Sequence, residues 1–529
     1  MDTALPAAPP ERFNFAHHLI SLNATRAQKT AFIDDTEHLS YGALAERIQL
    51  AAAGLQALGL QREQRVLLLM QDCTDWPVSF LGALYAGMVP VAVNTLLTVD
   101  DYAYMLAHSR AQAALVSANL LPVLQSAMEQ GSHELKHLIV SRPSAELPAG
   151  MQSFEPWLAA QTPTLQAADT SADEPAFWLY SSGSTGRPKG TVHSHANLYW
   201  TAELYARPVL QLQESDVVFS AAKLFFAYGL GNSLSFPLSV GATSILLAGR
   251  PTPEACFQRM TQHQASVFYG APTGYAGMLI SPQLPARSAV NLRMCSSAGE
   301  ALPQDIGERW TAHFGCQIID GIGSTEMLHI FLSNKPGDVR YGTTGKPVPG
   351  YAVELRDESS RPVTEAPEGG SEIGDLYIQG PSSALMYWNN REKTRDTFRG
   401  NWIKSGDKYY RDADGYYIYA GRSDDMLKVS GQYVSPFEVE STLVQHPAVL
   451  EAAVIGVADD NGLTRAKAYV VLRDGSLGSD ALGYELQTFV KSRLAPHKYP
   501  RMISFVTELP KTATGKIQRF RLREQEQAA

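Results

Sequence analysis

The sequence predicts an α/β fold with a large N-terminal domain of stacked α/β sheets, a small β-rich subdomain and a small α+β C-terminal domain. From residue 65 onward, short apolar runs alternate with amphipathic stretches, a pattern typical of parallel strands joined by helices. Turn residues become closely spaced at about 340–420, and a new α+β pattern begins after a charged turn at 421–425. A length of 529 residues also exceeds what one hydrophobic core usually serves.

The first half of the chain carries the strand and helix signals of the large domain. RVLLLM at 65–70 predicts a strand, and DWPVSFLGALYAG at 75–87 predicts a helix. Further buried strands are predicted at 89–94, 113–117, 136–141 and 176–180. The last of these runs directly into a Ser/Gly loop, which is where α/β sheets place their ligands.

The second half predicts smaller pieces. GDLYIQG and GYYIYAG indicate short strands separated by turns, whereas EAAVIGVAD, AKAYVVLRD and a helix near YELQTFVKSRL indicate an α+β domain. We therefore predict an N-terminal domain over 1–423, with the β-rich subdomain at about 340–420, and a C-terminal domain over 424–529.

Composition excludes several classes of protein. Charged residues make up 18% and hydrophobic residues 45%, as in ordinary globular proteins. The four cysteines include no CxxC pair, which argues against a disulfide framework and a zinc site. The N-terminal sequence has no signal-peptide pattern, and no run of eighteen apolar residues occurs. We expect a cytoplasmic protein without a membrane partner.

The net charge of −9 is unevenly distributed. The stretch 491–523 contains nine basic residues and a single acidic one. Such a stretch forms either a solvated face or a surface for an anionic ligand. No interleaved aromatics that could stack on bases accompany it, and the chain as a whole would repel a polyanion, so we expect no nucleic-acid partner.

The most informative segment is YSSGSTGRPKG, at 180–190. Its glycines and hydroxyl residues let backbone amides and OH groups converge on phosphate oxygens, while Arg187 and Lys189 add positive charge. It is not a Walker loop, because Lys189 is followed by Gly190 rather than by Ser or Thr. Taken alone, a Ser/Gly loop of this kind is more often a flexible surface linker than a phosphate site.

This segment resembles the phosphate loop of the adenylate-forming superfamily, which includes acyl- and aryl-CoA synthetases, luciferases and peptide-synthetase adenylation domains. The segments GIGSTE, WIKSGD, GRSDDMLKVSG and LPKTATGKIQR resemble the other family motifs and follow in the family order. The resemblance spans about residues 30–523. It implies an ATP-dependent enzyme whose small C-terminal domain is a mobile lid.

The resemblance also implies an ATP site. Thr325, Glu326 and Lys516 are the implied catalytic residues, and Mg²⁺ is expected at Glu326 and Thr185 because hard cations prefer oxygen ligands. Ile322 departs from the tyrosine that many relatives place against adenine, so we expect apolar packing on the base. The implied ATP- and AMP-binding residues are Ser181, Ser182, Gly183, Ser184, Thr185, Lys189, Gly299, Glu300, Ala301, Asp320, Gly321, Ile322, Asp407 and Arg422.

The C-terminal motifs imply the moving parts. Read without the resemblance, Lys516 belongs to a basic tail. By resemblance its ammonium bridges the substrate carboxylate and the α-phosphate, offsetting charge that builds during attack. Asp424 matches the hinge, and rotation there would bring the coenzyme A tunnel residues Lys428, Ser430 and Gly431 to the active site.

A small aromatic acid is the predicted substrate. The implied pocket has aromatic walls and a flat slot, which suit a planar ring. Ala227 replaces the aspartate with which peptide-synthetase domains pair an amino group, so amino acids are disfavoured. With no carrier domain after Lys516, coenzyme A is the expected acceptor. The implied pocket residues are Phe226, Ala227, Tyr228, Tyr269, Ala298, Gly323, Leu328 and His329, with Gly321 beside the slot.

Together these residues resemble the benzoate–CoA ligase subgroup. The implied reaction converts benzoate, ATP and coenzyme A into benzoyl-CoA, AMP and diphosphate. Alternatives are 4-hydroxybenzoate or 2-aminobenzoate, an alicyclic or medium-chain acid, a catalytically silent nucleotide or acyl-adenylate binder, and a luciferase-like oxygenase. The oligomeric state stays open, with a homodimer as one option.

Overall fold

A computed structural model of the chain describes residues 5–181, 187–365, 369–423, 425–429, 432–458, 464–495, 498–511 and 517–528. The chain divides into two compact units. The first consists of Met1–Val353 and Ile378–Lys404, and the second of Glu354–Tyr377 and Ser405–Ala529. Part of the predicted β-rich region thus groups with the C-terminal residues. The domain boundary between 423 and 424 stays a prediction.

Thirteen of the described α-helices belong to the first unit. They are α1 (Phe15–Leu22), α2 (Tyr41–Ala57), α3 (Asp75–Tyr85), α4 (Val99–Ser109), α5 (Leu121–Gln130), α6 (Phe154–Ala159), α7 (His195–Thr201), α8 (Ala227–Leu230), α9 (Phe236–Val240), α10 (Pro253–Gln262), α11 (Pro272–Ile280), α12 (Gln304–Phe314) and α13 (Arg391–Thr397). The second unit contains α14 (Pro436–Val444), α15 (Asp480–Lys491) and α16 (Arg519–Ala528).

The described strands follow one another along the whole chain. Those before residue 300 are β1 (Thr30–Ile33), β2 (His38–Ser40), β3 (Arg65–Leu69), β4 (Val89–Ala92), β5 (Ala113–Ser117), β6 (His137–Ser141), β7 (Met151–Ser153), β8 (Pro175–Ser181), β9 (Lys189–Ser194), β10 (Val217–Ser220), β11 (Thr243–Ile245), β12 (Val267–Gly270) and β13 (Met294–Ser297). The later ones are β14 (Ile318–Gly323), β15 (Ile330–Ser333), β16 (Lys346–Pro347), β17 (Ala352–Arg356), β18 (Gly374–Gln379), β19 (Met386–Tyr387), β20 (Phe398–Arg399), β21 (Trp402–Arg411), β22 (Tyr417–Arg422), β23 (Leu427–Val429), β24 (Gln432–Val434), β25 (Val449–Ala458), β26 (Thr464–Leu472) and β27 (Met502–Phe505).

Two large sheets dominate the first unit. One has the strand order β19-β9-β8-β4-β3-β5-β6-β7, in which β8 to β7 are parallel and β9 and β19 are antiparallel additions. The other has the order β16-β15-β14-β13-β12-β10-β11-β1-β2, with a parallel centre from β14 to β1. The prediction of stacked α/β sheets is confirmed.

Strand β3 shows why the parallel strands could be recognised from sequence. Val66 and Leu68 share a core cluster with residues of α2 and α3, whereas Leu67 and Leu69 share another with Tyr102 of α4. Successive strand residues point to opposite faces, so a strand covered on both sides must be apolar throughout. The predicted helix at 75–87 is α3, which ends at Tyr85 because Gly87 adopts a left-handed φ of 74°.

The second unit contains the predicted α+β pattern. β25 pairs antiparallel with β26, and β26 pairs parallel with β27. Val439 and Leu443 of α14 and Leu486 and Val490 of α15 pack in one core cluster with this sheet. Smaller sheets are formed by β23 with β24 and by β17, β18 and β21, in which β22 pairs with β21. β20 pairs with the first residues of β21, inside the first unit. Among the described helices, none has the length and apolar character needed to cross a bilayer.

Candidate active site

The nine-stranded sheet of the first unit brings the predicted acid-pocket residues and part of the predicted nucleotide residues to one edge. β10, β12, β13 and β14 are neighbours in the nine-stranded sheet and run parallel. Phe226 follows β10, Tyr269 lies near the end of β12, Ala298 follows β13 and Thr325 follows β14. Carboxyl ends of parallel strands meet at one edge, where α/β folds bind ligands. The fold therefore builds a candidate site from segments that span 99 positions in sequence, from Phe226 to Thr325.

The phosphate-loop motif lies between two paired strands of the other large sheet. β8 ends at Ser181, β9 begins at Lys189, and these two residues face each other across the antiparallel pair. The buried Ser181 hydroxyl has no hydrogen-bond partner in the described part of the chain. The predicted phosphate ligands between them lie outside the described residues, so their roles stay predictions. They are Ser182, Gly183, Ser184 and Thr185.

Glu326 lies beside the first residue of β9. Its Oε1 accepts a hydrogen bond of 2.6 Å from the Tyr387 hydroxyl and lies 3.7 Å from the Lys189 Nζ. Lys189 also donates to the Tyr387 hydroxyl at 3.2 Å and lies 4.4 Å from the centroid of that ring. Burial raises the pKa of Glu326, but Lys189 and Tyr387 outweigh it and hold the pKa below its ordinary value. Glu326 is therefore a carboxylate at neutral pH.

The surroundings of Glu326 fit a magnesium ion that is shared with a substrate. Mg²⁺ is usually bound through one or two carboxylates together with substrate phosphates. An ionised carboxylate beside the strand pair that flanks the phosphate loop matches that donor set. The described residues hold no cluster of three or more His, Cys, Asp or Glu side chains that could bind a metal without substrate. Glu326 thus fits a metal that arrives with the nucleotide.

Behind Thr325 lies a buried histidine. The His193 Nε2 donates to the Thr325 carbonyl oxygen at 2.8 Å, because that oxygen can only accept. The His193 Nδ1 accordingly accepts from the Asn197 amide at 2.8 Å. The ring stacks on Phe177 with centroids 5.1 Å apart. Burial lowers the pKa of His193 to about 4, so this network holds a neutral ring.

The turn after Glu326 is tightly constrained. Leu328 adopts a φ of 65°, a left-handed conformation that is unusual for a residue with a side chain. A Cβ added at Gly323 would lie 2.5 Å from the His329 carbonyl oxygen, and one at Gly321 would lie 2.9 Å from the Ile330 Cγ2. Glycine is thus required at both positions by the close approach of β15. This requirement exists independently of any bound acid.

Aromatic side chains line the predicted acid pocket. Tyr228 meets Tyr269 edge-on, with ring centroids 6.3 Å apart at 88°. The Tyr228 ring lies 5.5 Å from the His329 ring, and its hydroxyl donates to the Ser296 Oγ at 3.1 Å. Phe226, Ala227 and Tyr228 are each half-buried, whereas Tyr269 is completely buried. The exposed parts of this wall are therefore aromatic and small apolar groups.

His329 is neutral and oriented by a backbone group. Burial lowers the pKa of its ring to about 3. The Nε2 donates to the Tyr228 carbonyl oxygen at 3.3 Å, which leaves Nδ1 as an acceptor. This Nδ1 is buried and has no hydrogen-bond partner within the described ranges. Leu328 beside it is 2% exposed, so both predicted far-end residues belong to the protein interior.

The predicted base-binding residues surround the ends of β13 and β14. Gly299 has a φ of 96°, which only glycine adopts readily. The Glu300 carboxylate accepts a 2.7 Å hydrogen bond from the Thr273 hydroxyl. Burial raises the pKa of Asp320 well above its ordinary value, and its Oδ1 has no hydrogen-bond partner among the residues described. An unpaired buried carboxyl oxygen leaves a hydrogen-bonding position for an incoming polar group. Ala301 and Ile322 are half-buried.

The remaining predicted residues belong to the second unit. Asp407 and Arg422 face each other across β21 and β22, and the Arg422 guanidinium donates to the Asp407 Oδ1 at 3.1 Å. Lys428 lies in β23, where its backbone pairs with Tyr433. The predicted hinge, two tunnel residues and the predicted catalytic lysine lie outside the described residues. These are Asp424, Ser430, Gly431 and Lys516.

Within the described residues, four of the nine basic side chains at 491–523 pair with acids of the same unit. Arg519 pairs with Glu440 at 2.6 Å and Asp425 at 3.3 Å, and Arg523 also pairs with Asp425. Lys498 and Lys511 are paired with Glu438 and Glu451. The interpretation of the remaining basic residues as a surface for an anionic ligand stays a prediction.

Sequence reasoning missed two polar residues of this site. Tyr387 is 61 positions from Glu326, and His193 is 132 positions from Thr325. No local pattern marks Tyr387. His193 could have been singled out, because it lies on the strand that directly follows the phosphate loop.

Comparisons with known proteins identify similar sequences over most of the chain. The AMP-binding enzyme family matches residues 21–388, and the AMP-binding enzyme C-terminal domain matches residues 438–516. A benzoate–CoA ligase of Thauera aromatica is 56% identical over 97% of this chain and 96% of its own length.

Two solved structures resemble the chain over nearly its full length. A benzoate CoA ligase from Burkholderia xenovorans LB400 is 61% identical, with a TM-score of 0.89 over 97% of this chain and 100% of its own. The anthranilate CoA ligase AuaEII, solved with anthranoyl-AMP, is 41% identical, with a TM-score of 0.92 over 98% of each chain. The resemblance predicted from the motifs is confirmed, and the chain belongs to the AMP-binding enzyme family.

Proposed function

We propose that the protein is an AMP-forming acid–CoA ligase that joins benzoate to coenzyme A through a benzoyl-adenylate. The observation that carries this proposal is an aromatic wall, made by Phe226, Tyr228 and Tyr269, at the same sheet edge as Glu326. Aromatic and small apolar groups suit a flat ring by offset or edge contact. The nearly full-length similarity to two benzoate ligases supports the same substrate.

In the first half-reaction, a benzoate carboxylate oxygen attacks the α-phosphorus of ATP in line. The bond from that phosphorus to the bridging oxygen breaks, and diphosphate leaves. We assign Lys516 to the charge between the carboxylate and the α-phosphate, by its match to the family motif. Positioning of the two reactants contributes the other large part, up to about 7–11 kcal/mol in well-oriented systems.

The first unit contributes orientation to this step. Tyr387 and Lys189 hold the Glu326 carboxylate in one place, and His193 holds the Thr325 backbone. A magnesium ion bound with ATP would supply charge neutralisation on the phosphates, with Glu326 and Thr185 as its proposed protein ligands. Asp407 is proposed to bind the ribose hydroxyls, together with Arg422.

In the second half-reaction, the coenzyme A thiol attacks the benzoyl carbonyl carbon. The carbon–oxygen bond to AMP breaks, AMP leaves, and the thiol proton passes to solvent. We propose that rotation at Asp424 withdraws Lys516 and brings Lys428, Ser430 and Gly431 into use between the two halves. A cytoplasmic location and a homodimer stay predictions.

The test of the proposed substrate is a panel of carboxylates with ATP and coenzyme A both present. We expect AMP and diphosphate release to be fastest with benzoate, slower with 2-aminobenzoate or 4-hydroxybenzoate, and slowest with hexanoate. A preference for hexanoate would contradict the proposal. Absence of AMP with every acid would instead favour a silent nucleotide binder, and light emission would favour an oxygenase.

The test of the two-step assignment separates the half-reactions. Lys516→Ala should abolish adenylate formation while keeping thioester formation from supplied benzoyl-adenylate. Lys511→Ala is the matched control, because Lys511 lies in the same segment and pairs with Glu451 at 2.5 Å. Equal loss of both half-reactions in Lys516→Ala would count against the moving lid.

A further inference from the structure

We infer that Asp72 is a positioning residue for acid binding, because its buried carboxylate holds the backbone of the segment that carries Phe226, Ala227 and Tyr228. This inference rests on the proposed function, since it assigns a residue to the binding of the same carboxylate substrate. Asp72 lies in the turn between β3 and α3, within the eight-stranded sheet region rather than in the predicted pocket.

The contact between the carboxylate and the pocket segment is direct. Both Asp72 oxygens accept from the Leu224 backbone N–H, at 3.3 and 3.2 Å. Asp72 is 3% exposed and Leu224 is completely buried. A buried carboxylate is costly unless it is paired or hydrogen-bonded, so this geometry is specific to an acceptor at position 72.

Lys223, the residue before Leu224, is held by its own side chain. The Lys223 ammonium donates to the carbonyl oxygens of Leu247 and, at 2.6 Å, of Gly249. Burial raises the pKa of Asp72 to about 6, and the charge of Lys223 opposes that rise. At pH 8 the carboxyl is therefore ionised. Two consecutive residues of one loop are thus fixed by a buried anion and a half-buried cation.

The anchored Lys223–Leu224 backbone is in direct contact with the pocket segment 226–228. The Phe226 N–H donates to the Lys223 carbonyl oxygen at 3.0 Å. A Cβ added at Gly229 would lie 2.0 Å from that same oxygen, so the first turn of α8 lies directly against it. A displacement of the Lys223–Leu224 backbone must therefore displace Phe226, Ala227 and Tyr228 as well.

The experiment compares two variants of Asp72 with one of Asp75, in assays of diphosphate release. Asp72→Ala should raise KM for benzoate about tenfold, while KM for ATP changes by less than about twofold. Asp72→Asn keeps an acceptor oxygen and should raise KM for benzoate by about threefold only. Asp75→Ala is the matched control: this carboxylate is 1% exposed, accepts from Ser141 and pairs with Arg47.

Asp75→Ala should lower the melting temperature and leave KM for benzoate unchanged. An equal rise in KM for the Asp75 variant, or an unchanged KM in folded Asp72→Ala, would overturn the inference. Should Asp72→Ala not fold, Asp72→Asn decides: a selective rise in KM for benzoate supports the inference, and no rise overturns it. A wild type that prefers hexanoate would overturn only the proposed function, and the same comparison would then use hexanoate.

Discussion

Replacing His193 by glutamine should make the stability of the first unit less sensitive to acid. Burial lowers the pKa of His193 to about 4, whereas an unfolded histidine has a pKa of about 6.5. Below pH 6.5 the unfolded chain binds the extra proton first, so the contribution of His193 to stability falls as the pH falls towards 4. Between pH 8 and pH 5 the wild type should lose about 2 kcal/mol through this residue.

The variant begins from a lower stability at pH 8. It lacks the imidazole contacts to Thr325 and Asn197 and the stacking on Phe177, which together contribute about 3 kcal/mol. Because glutamine does not titrate, the gap between wild type and variant should narrow from about 3 kcal/mol at pH 8 to about 1 kcal/mol at pH 5.

Tryptophan fluorescence during guanidinium unfolding is a suitable assay. All seven tryptophans lie at or before residue 402, so the signal reports on the first unit. His193→Ala serves as a second non-titrating variant, with a larger gap but the same narrowing. A gap that stays constant or widens between pH 8 and pH 5 would refute the argument that the buried ring is neutral.

Three further predictions concern the proposed chemistry. Tyr387→Phe removes a 2.6 Å hydrogen bond to the Glu326 carboxylate, so diphosphate release at limiting Mg²⁺ should fall about tenfold; an unchanged Mg²⁺ dependence would contradict this. Gly231→Ala places a Cβ 2.4 Å from the His329 Cδ2, so KM for benzoate should rise while KM for ATP stays constant; equal rises would point to a general defect. EDTA should stop adenylation yet spare thioester formation from supplied benzoyl-adenylate. Loss of both steps would contradict the proposal that the metal acts only on the ATP phosphates.

The parallel strands were predictable because their signal is local. β3 is covered on both faces from Val66 to Leu69, and residues so placed must be apolar, as VLLL at 66–69 is. The grouping of Glu354–Tyr377 with the C-terminal residues was not predictable, because it depends on contacts between distant parts of the chain. Periodicity carries no information about such contacts.

Within the candidate site, too, local signals were predictable and contacts between distant residues were not. The phosphate loop and the GIGSTE segment were found because their residues are consecutive. Asp72 was missed because its partner Leu224 lies 152 positions away, and an aspartate after a strand has many ordinary roles. Gly321 and Gly323 were predicted as space for a ring, whereas the structure gives the approach of β15 as a sufficient reason for glycine at both positions.

The crowded glycines of β14 limit how this enzyme could be redesigned. Side chains introduced at Gly321 or Gly323 would collide with Ile330 or with the backbone of His329 before they could reshape the pocket. Half-buried Ala227 already carries a Cβ and is the first residue of α8, in the wall of the predicted pocket. Variant libraries intended to accept new carboxylic acids should therefore change position 227 and keep the antiparallel pair of β14 and β15 unchanged.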